Sequence, residues 1–358
     1  MPLSVSQFIS NVFDIVYYQV RMKINKVLII RFSSFGDIVQ CSSVVELIRQ
    51  KFTSSQIDWV TRSEFDYLVK LNHDVNKVWS FDKKLGFKGL IALGMELRRQ
   101  EYDYVYDAHN NLRSKLLSFL IRSKIFSRPN WVTRSKDRFK RILLFTFRVN
   151  TFPWPFKGIH SYQAPLEKWG ISKGQDEKLV IWDFSEASRL KAKGFLENKN
   201  TIILVPSAAW EMKRWPLPQW KKLIEIMPHH NFVVLGGRED LFCEELKAIA
   251  PERVENLAGK LSLVESCALI EKAELVISAD TGLLHVADVL GVKALSLMGP
   301  TAFGFTTGPQ IKTMEVELPC RPCTKDGRGS CSQDVYQKCM VDITPQMVAQ
   351  EALHLLPL

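Results

Sequence analysis

Two α/β domains, each built on a doubly wound parallel sheet, are what the sequence predicts, and three observations predict them. The chain has 358 residues, more than one ordinary core supports, which sets an expectation of two domains of roughly 150–200 residues. Short apolar runs alternate with helix-length stretches through both halves, the pattern of parallel strands joined by crossover helices. The third observation is the stretch Glu274–Pro309, ELVISADTGLLHVADVLGVKALSLMGPTAFGFTTGP, which reads as a complete βαβ unit.

That unit holds a buried strand at Leu275–Ala279, a sharp turn at Asp280-Thr281-Gly282, a helix over Leu283–Leu290, a Gly291 stop and a second buried strand at Ala294–Met298. Ligands of such units sit outside the carboxyl ends of the strands, where the next helix presents unpaired N–H groups and the positive end of its dipole. An anion is the expected guest. Thr281 and Gly282 permit close backbone approach to a phosphate, and His285, one turn in, adds a donor on the same face. The alternative is an aspartate cap on a core helix, with His285 satisfied internally.

Composition is ordinary for a globular protein, 46% hydrophobic and 24% charged, but the net charge is +10. An anionic partner follows, and nucleic acid, a membrane surface and a phosphorylated substrate all qualify. Seven cysteines, an odd number without a secretion signal, point to a reducing compartment, with the cytoplasm as the expectation. At the amino terminus Val5, Phe8, Ile9, Val12, Phe13, Val16 and Val20 recur at helical spacing, with Arg21 and Lys23 at the end. This amphipathic helix either docks on the protein's own body or lies in a membrane interface.

Lys26–Phe32, KVLIIRF, fits the first parallel strand and runs into Ser33-Ser34-Phe35-Gly36-Asp37 and a helix at Ile38–Phe52. Asp37 has two readings: a charge favouring the helix dipole, or a carboxylate placed to take a proton from an incoming hydroxyl. Strands IDWVT, KVWSF and YDYVYDA alternate with helical stretches such as Phe87–Gln100. Asp107, Asn110 and Arg113 follow the last of these strands, either lining the same cleft as Asp37 or solvating a loop. Between Asn111 and Val149, eleven lysines and arginines face one acid, Asp137, an excess equal to that of the whole chain. The aliphatic clusters LLSFLI and ILLFTF lie among them on two expected helices. That mixture suits an anionic membrane surface or a phosphorylated amphiphile better than a nucleic acid, with a plain solvated face as the alternative.

A short helix ends near Trp169-Gly170, and the polar run Ser172–Lys178 is the expected interdomain link. The second sheet opens with Thr201–Pro206, after which Lys213 and Arg214 are placed to neutralise a pyrophosphate or serve as surface charge. NFVVLGG at Asn231–Gly237 is the next strand, with Arg238-Glu239-Asp240 starting a helix where an acid commonly holds a ribose hydroxyl. The loops Ser207–Pro216, Gly236–Asp240, Asp280–His285 and Gly299–Pro309 are thus expected on one sheet edge.

Five stretches now stand in order across both halves: IIRFSSFGDIV (Ile29–Val39), VPSAAWEMKRWP (Val205–Pro216), NLAGKLSL (Asn256–Leu263), SADTGLLHVADVLG (Ser278–Gly291) and MGPTAFGFTTGP (Met298–Pro309). With them the chain resembles glycosyltransferase family 9, the lipopolysaccharide heptosyltransferases. The resemblance implies the GT-B fold, two facing Rossmann-like domains around a deep cleft, the first holding the acceptor and the second an ADP-activated heptose. The expected divisions are an amphipathic helix at 1–24, an acceptor domain at 25–175, a nucleotide-sugar domain at 176–343 and a terminal helix at 344–358 packing back toward the first domain. Inverting transfer needs a base for the acceptor hydroxyl and positive charge for the departing ADP. By resemblance Asp37 is the base and Lys213 stabilises the diphosphate. Thr281, Gly282 and the turn's N–H groups cradle it, and Asp280 and His285 complete the motif. Ser207 and Glu239 join the donor set, Glu239 facing the nucleoside with Asp240 beside it as an alternative. Ser34, Gly36, Asn110 and Arg113 make the acceptor side.

No D-x-D occurs in the chain, so the resemblance implies metal-independent chemistry without a cofactor. The implied partners are ADP-heptose or a similar nucleotide sugar, a lipopolysaccharide core acceptor and an anionic inner-membrane surface, with no nucleic acid. The implied location is peripheral, on the cytoplasmic face of the inner membrane. Two other functions compete: transfer of another nucleotide-activated sugar, and non-catalytic binding of a nucleotide or anionic lipid. Asp288 departs from the family's small apolar residue at its place and reads as a local surface feature. Cys320, Cys323, Cys331 and Cys339 have a spacing open to a structural tetrathiolate zinc site, to free thiols or to a disulfide. Thr344-Pro345 opens the last helix, a cap followed by proline at the first helical position.

Overall fold

The computed structural model describes residues 25–122, 129–174, 178–197 and 200–356. The expected amino-terminal amphipathic helix, and Lys124 and Arg128 of the basic segment, lie outside the described residues. Strands β1 (Lys26–Ile30), β2 (Gln56–Arg62), β3 (Lys77–Phe81), β4 (Tyr104–Asp107) and β5 (Asn130–Thr133) form one parallel sheet in the order β3-β2-β1-β4-β5. A second is made by β6 (Thr201–Val205), β7 (Asn231–Val234), β8 (Val254–Asn256), β9 (Leu275–Ala279), β10 (Ala294–Met298) and β11 (Ile311–Glu315), in the order β11-β10-β9-β6-β7-β8. Every residue of β6, β9 and β10 is buried, as befits parallel strands covered on both faces.

Eight helices matter to the argument. In the first half they are α1 (Phe35–Lys51), α2 (Gly86–Arg99), α3 (Leu112–Arg122), α4 (Arg138–Phe147) and α5 (Gly158–Gln163). The second half adds α6 (Leu217–Ile226), α7 (Gly282–Leu290) and α8 (Pro345–Leu355). Gly291 ends α7 at φ 73°, a left-handed conformation that glycine adopts without steric cost.

The two sheets share a core. Helix α1 packs on α5 and on α7, and one apolar cluster runs from Val39 and Val45 of α1 through Leu284 and Val286 of α7 to Ile203 and Val276 of the second sheet. After the expected link, which falls partly outside the described residues, the chain is tied to both halves. Leu179 and Val180 donate to the Val289 carbonyl (2.8 and 3.2 Å), and Asp183 donates to that of Leu71 (2.7 Å).

Several expectations change here. Helix α1 begins at Phe35 instead of Ile38, with Ser34 as its N-cap residue in extended conformation. The helix after β7 begins only at Cys243, because Asp240 accepts from the Gly237 N–H at 2.7 Å and closes a turn across Arg238 and Glu239. Thr344 caps α8, accepting from Met347. Yet α8 packs on α6 and β10 instead of returning to the first domain, because Val348, Ala349 and Ala352 complete the core around Trp220, Leu223 and Ile224. Among the described residues no group of three or more His, Cys, Asp and Glu side chains is placed to hold a metal ion. Cys339 is drawn into the apolar cluster around Trp220 and Leu223 while Cys320, Cys323 and Cys331 stay half-buried, and all four are free thiols.

Asp288 is the largest departure. It is fully buried, not a surface feature, and accepts from the Thr307 and Gly308 N–H groups at 2.8 and 2.7 Å, pinning the loop after β10. Lys157 of the first half donates to the Thr307 carbonyl at 3.3 Å. Burial pushes the Asp288 carboxyl up to about 6, against the pull of the Gly308 and Thr307 N–H groups and of Lys157. Its proton is held more tightly in the folded chain than in the unfolded one. The stability it contributes is therefore complete below about pH 4 and lost as pH rises through about 6. The difference in unfolding free energy between native protein and Asp288→Asn should change by about 3 kcal/mol across that window. Denaturant titrations at both ends measure it, and a pH-independent difference would mean that this carboxyl ionises at its ordinary pKa.

Candidate active site

The carboxyl ends of β1 and β4 lie level, Ile30 opposite Asp107, as do those of β6 and β9, Val205 opposite Ser278. The loops leaving them meet across a cleft of about 650 Å³ lined from both halves. Its root is the contact of two helix starts: a Cβ on Gly36 would lie 3.3 Å from Gly282 Cα and from the His285 ring, and one on Gly282 would overlap the Phe35 ring. Gly282 is thus required by this close approach, and Gly36 sits where a side chain would fit only if its neighbours gave way by a few tenths of an ångström.

On the first wall Asp37 is held by four donors. Arg31 pairs with it at 2.7 Å, the Tyr162 hydroxyl donates at 2.7 Å, and Ser34 donates through its hydroxyl (2.7 Å) and its N–H (3.2 Å). Burial alone would raise the Asp37 carboxyl. The Arg31 charge and the bonds from Tyr162 and Ser34 override it and hold the group well below the usual carboxylate range. Arg31 is itself fixed by donating to the Ala108 carbonyl (2.8 Å), and Tyr162 lies beneath the Arg134 guanidinium, 3.9 Å from ring centroid.

On the opposite wall Lys213 pairs with Asp280 at 3.0 Å, and Thr301 donates to the same carboxylate at 2.7 Å. Burial would raise Asp280, but Lys213 and the polar contacts around it pull its pKa below the ordinary value. His285, 3.9 Å from Asp280, is kept neutral by burial, and its Nδ1 is buried without a hydrogen-bond partner. Thr281 uses its hydroxyl to cap α7, accepting from Leu284 at 3.2 Å. What it leaves for a ligand is the first-turn N–H groups of Gly282 and Leu283, which have no partner within a helix.

Ser34, Gly36, Asp37, Lys213, Asp280, Thr281, Gly282 and His285 thus share one cleft. Four expected residues do not line it. Ser207 packs beside Gly236, and Glu239 is exposed on the loop that Asp240 closes. Asn110 holds the Arg134 carbonyl (2.9 Å) beside an adjoining hollow, and Arg113 points from α3 into solvent. Asp107, buried, shapes that loop by accepting from His109, Asn110 and Ser114.

Other first-half residues take their place on that wall: Arg134, Lys136, Arg141 and His109. Burial and like-charged neighbours, Arg31 and Arg138 for Lys136 and Arg134 for Arg141, lower the pKa of both cations. Burial, then Arg31 and Lys136, push His109 down to about 3. A charge inside an apolar strand run marked Arg31 in the sequence. Nothing local marked Tyr162, which lies 125 positions from its partner.

A family model described as glycosyltransferase family 9 (heptosyltransferase) matches residues 90–336. Lipooligosaccharide heptosyltransferase 2 of Haemophilus influenzae is 26% identical over 352 residues, 92% of this chain and 99% of that protein. The enzyme of the same name from Campylobacter jejuni is 30% identical over 335 residues, 90% and 95% of the respective chains. The solved structure of E. coli ADP-heptose LPS heptosyltransferase II superposes with a TM-score of 0.67 at 20% identity, covering 92% of this chain and 98% of that one. The fold is accordingly GT-B, and the chain belongs to glycosyltransferase family 9 and is a glycosyltransferase.

Proposed function

We propose that the chain transfers heptose from ADP-heptose to the lipopolysaccharide inner core, working on the cytoplasmic face of the inner membrane. The observation that carries this reading is the opposition, across one cleft, of Asp37 on the first half and Lys213, Asp280 and the start of α7 on the second. The names of the relatives, which act on lipooligosaccharide or lipopolysaccharide, favour heptose and the core among nucleotide sugars and acceptors.

The reaction is a single in-line displacement. The acceptor oxygen bonds to the anomeric carbon from the face opposite ADP, and the bond from that carbon to the β-phosphate oxygen breaks, inverting the centre. Lys213 and the α7 start take the growing diphosphate charge, which is how the site does without a metal. The acceptor proton passes to Asp37. A carboxylate held this acidic is a weak base toward a free hydroxyl, so proton transfer follows C–O bond formation, when the hydroxyl has become acidic. Arg134, Lys136 and Arg141 hold the acidic groups of the acceptor, since a bound anion relieves their mutual repulsion.

Asp37→Ala should lower transfer by about a thousandfold or more while leaving ADP affinity within about twofold. Lys213→Ala should weaken ADP binding by about tenfold, read from the shift of the unfolding midpoint with ADP, UDP, GDP and CDP. A preference for UDP or GDP would keep the mechanism and replace the donor. Tyr162→Phe removes one donor from Asp37 and should move the acidic limb of kcat/KM upward, and an unmoved limb would separate Tyr162 from the base. Arg141→Ala should raise the KM for acceptor by about tenfold with the donor KM unchanged, and equal changes in both would place Arg141 on the donor side.

A further inference from the structure

Helices α3 and α4 carry large apolar side chains in solvent. Leu112 is 85% exposed, Phe119 72%, Phe139 72% and Ile142 53%. Leu112, Lys115 and Phe119 fall at i, i+3 and i+7 on α3, one stripe of the helix, and Phe139 and Ile142 fall at i and i+3 on α4. The stripes adjoin: Lys115 lines one hollow with Arg138, Phe139 and Lys140. Between Asn110 and Asn150 the only acid is Asp137. A soluble surface rarely groups bulky apolar side chains this way, and a nucleic-acid surface needs no isoleucine or leucine in solvent. Cations interleaved with Phe, Leu and Ile match a bilayer interface, where rings and alkyl chains enter the headgroup region while ammonium and guanidinium groups meet lipid phosphates. Lys136 lines both this hollow and the cleft, so the face borders the acceptor wall.

We propose that the exposed faces of α3 and α4 are a docking surface for an anionic phospholipid bilayer, holding the mouth of the cleft against the membrane. The proposal deepens the reading of a membrane-borne acceptor and rests on it for the presence of lipid. Its occupant is argued from charge complementarity and the apolar side chains together. Among the described residues no helix is long and apolar enough to cross a membrane, and this face gives the chain a way to work at one without spanning it.

The test is co-flotation of the full chain with vesicles of phosphatidylcholine alone or of phosphatidylcholine with phosphatidylglycerol, at low and high salt. Native protein should float with the anionic vesicles, less at high salt. Phe139→Ser with Ile142→Ser should bind them about tenfold more weakly, and Lys115→Glu with Arg138→Glu should lose the preference for anionic lipid. Both variants should keep native unfolding midpoints and native transfer to a water-soluble, lipid-free core acceptor, which separates a docking defect from misfolding. Equal flotation with neutral and anionic vesicles, native-like flotation of either variant, or no flotation of the native chain would overturn the proposal. Normal flotation with no transfer to any acceptor would sink the catalytic reading instead and leave the docking face standing.

Discussion

Two helix starts are brought nearly into contact at the root of the cleft, and most of the site follows from that single constraint. Helix α1 meets α7 through Gly36 and Gly282, so two positive dipole ends and the cations around them point into the same space. Such a space is unfavourable when empty of negative charge. The chain answers with a carboxylate on each side, Asp37 reaching back from the first turn of α1 and Asp280 at the turn before α7. The remaining positive potential belongs to the ligands, a diphosphate on one wall and an acidic acceptor on the other in the reading given above. Glycine at 282 is a packing requirement first: Phe35 fills the space a side chain there would need.

Three aspartates show how little residue type alone decides. Burial pushes each toward its neutral form. Arg31 reverses this at Asp37 and Lys213 reverses it at Asp280, whereas Asp288 has only two backbone N–H groups and a more distant lysine, and stays raised. The first two face each other across the cleft with their pKa values pulled below the ordinary carboxylate value. The third is a fastening for the loop that carries Phe303 and Gly304 to the cleft wall and Thr301 to Asp280.

The fold was legible because parallel strands buried on both faces leave continuous apolar runs, and β9 and β10 were bounded correctly from those runs alone. The cleft residues closest to strand ends, Asp37, Lys213 and the Asp280–His285 turn, were legible for the same reason. Asn110 and Arg113 follow a strand end too, yet Asp107 folds that loop back on itself, and Arg134, Lys136 and Arg141, which line the cleft in their place, come from the next loop and from α4. Asp288 looked superficial because an aspartate on a helix ordinarily faces water, and the N–H groups that receive it lie 19 and 20 residues further on. Tyr162 and the docking of α8 depend on long-range packing that no local pattern encodes.

The apolar cluster joining α1, α7 and the second sheet has a further meaning for the molecule as a whole. Each half also keeps an apolar cluster of its own, so this shared one is what joins the two sheets beneath the groove. The groove between the sheets is therefore floored by buried side chains that belong to both halves, and the walls that face each other across it are anchored in the same apolar interior.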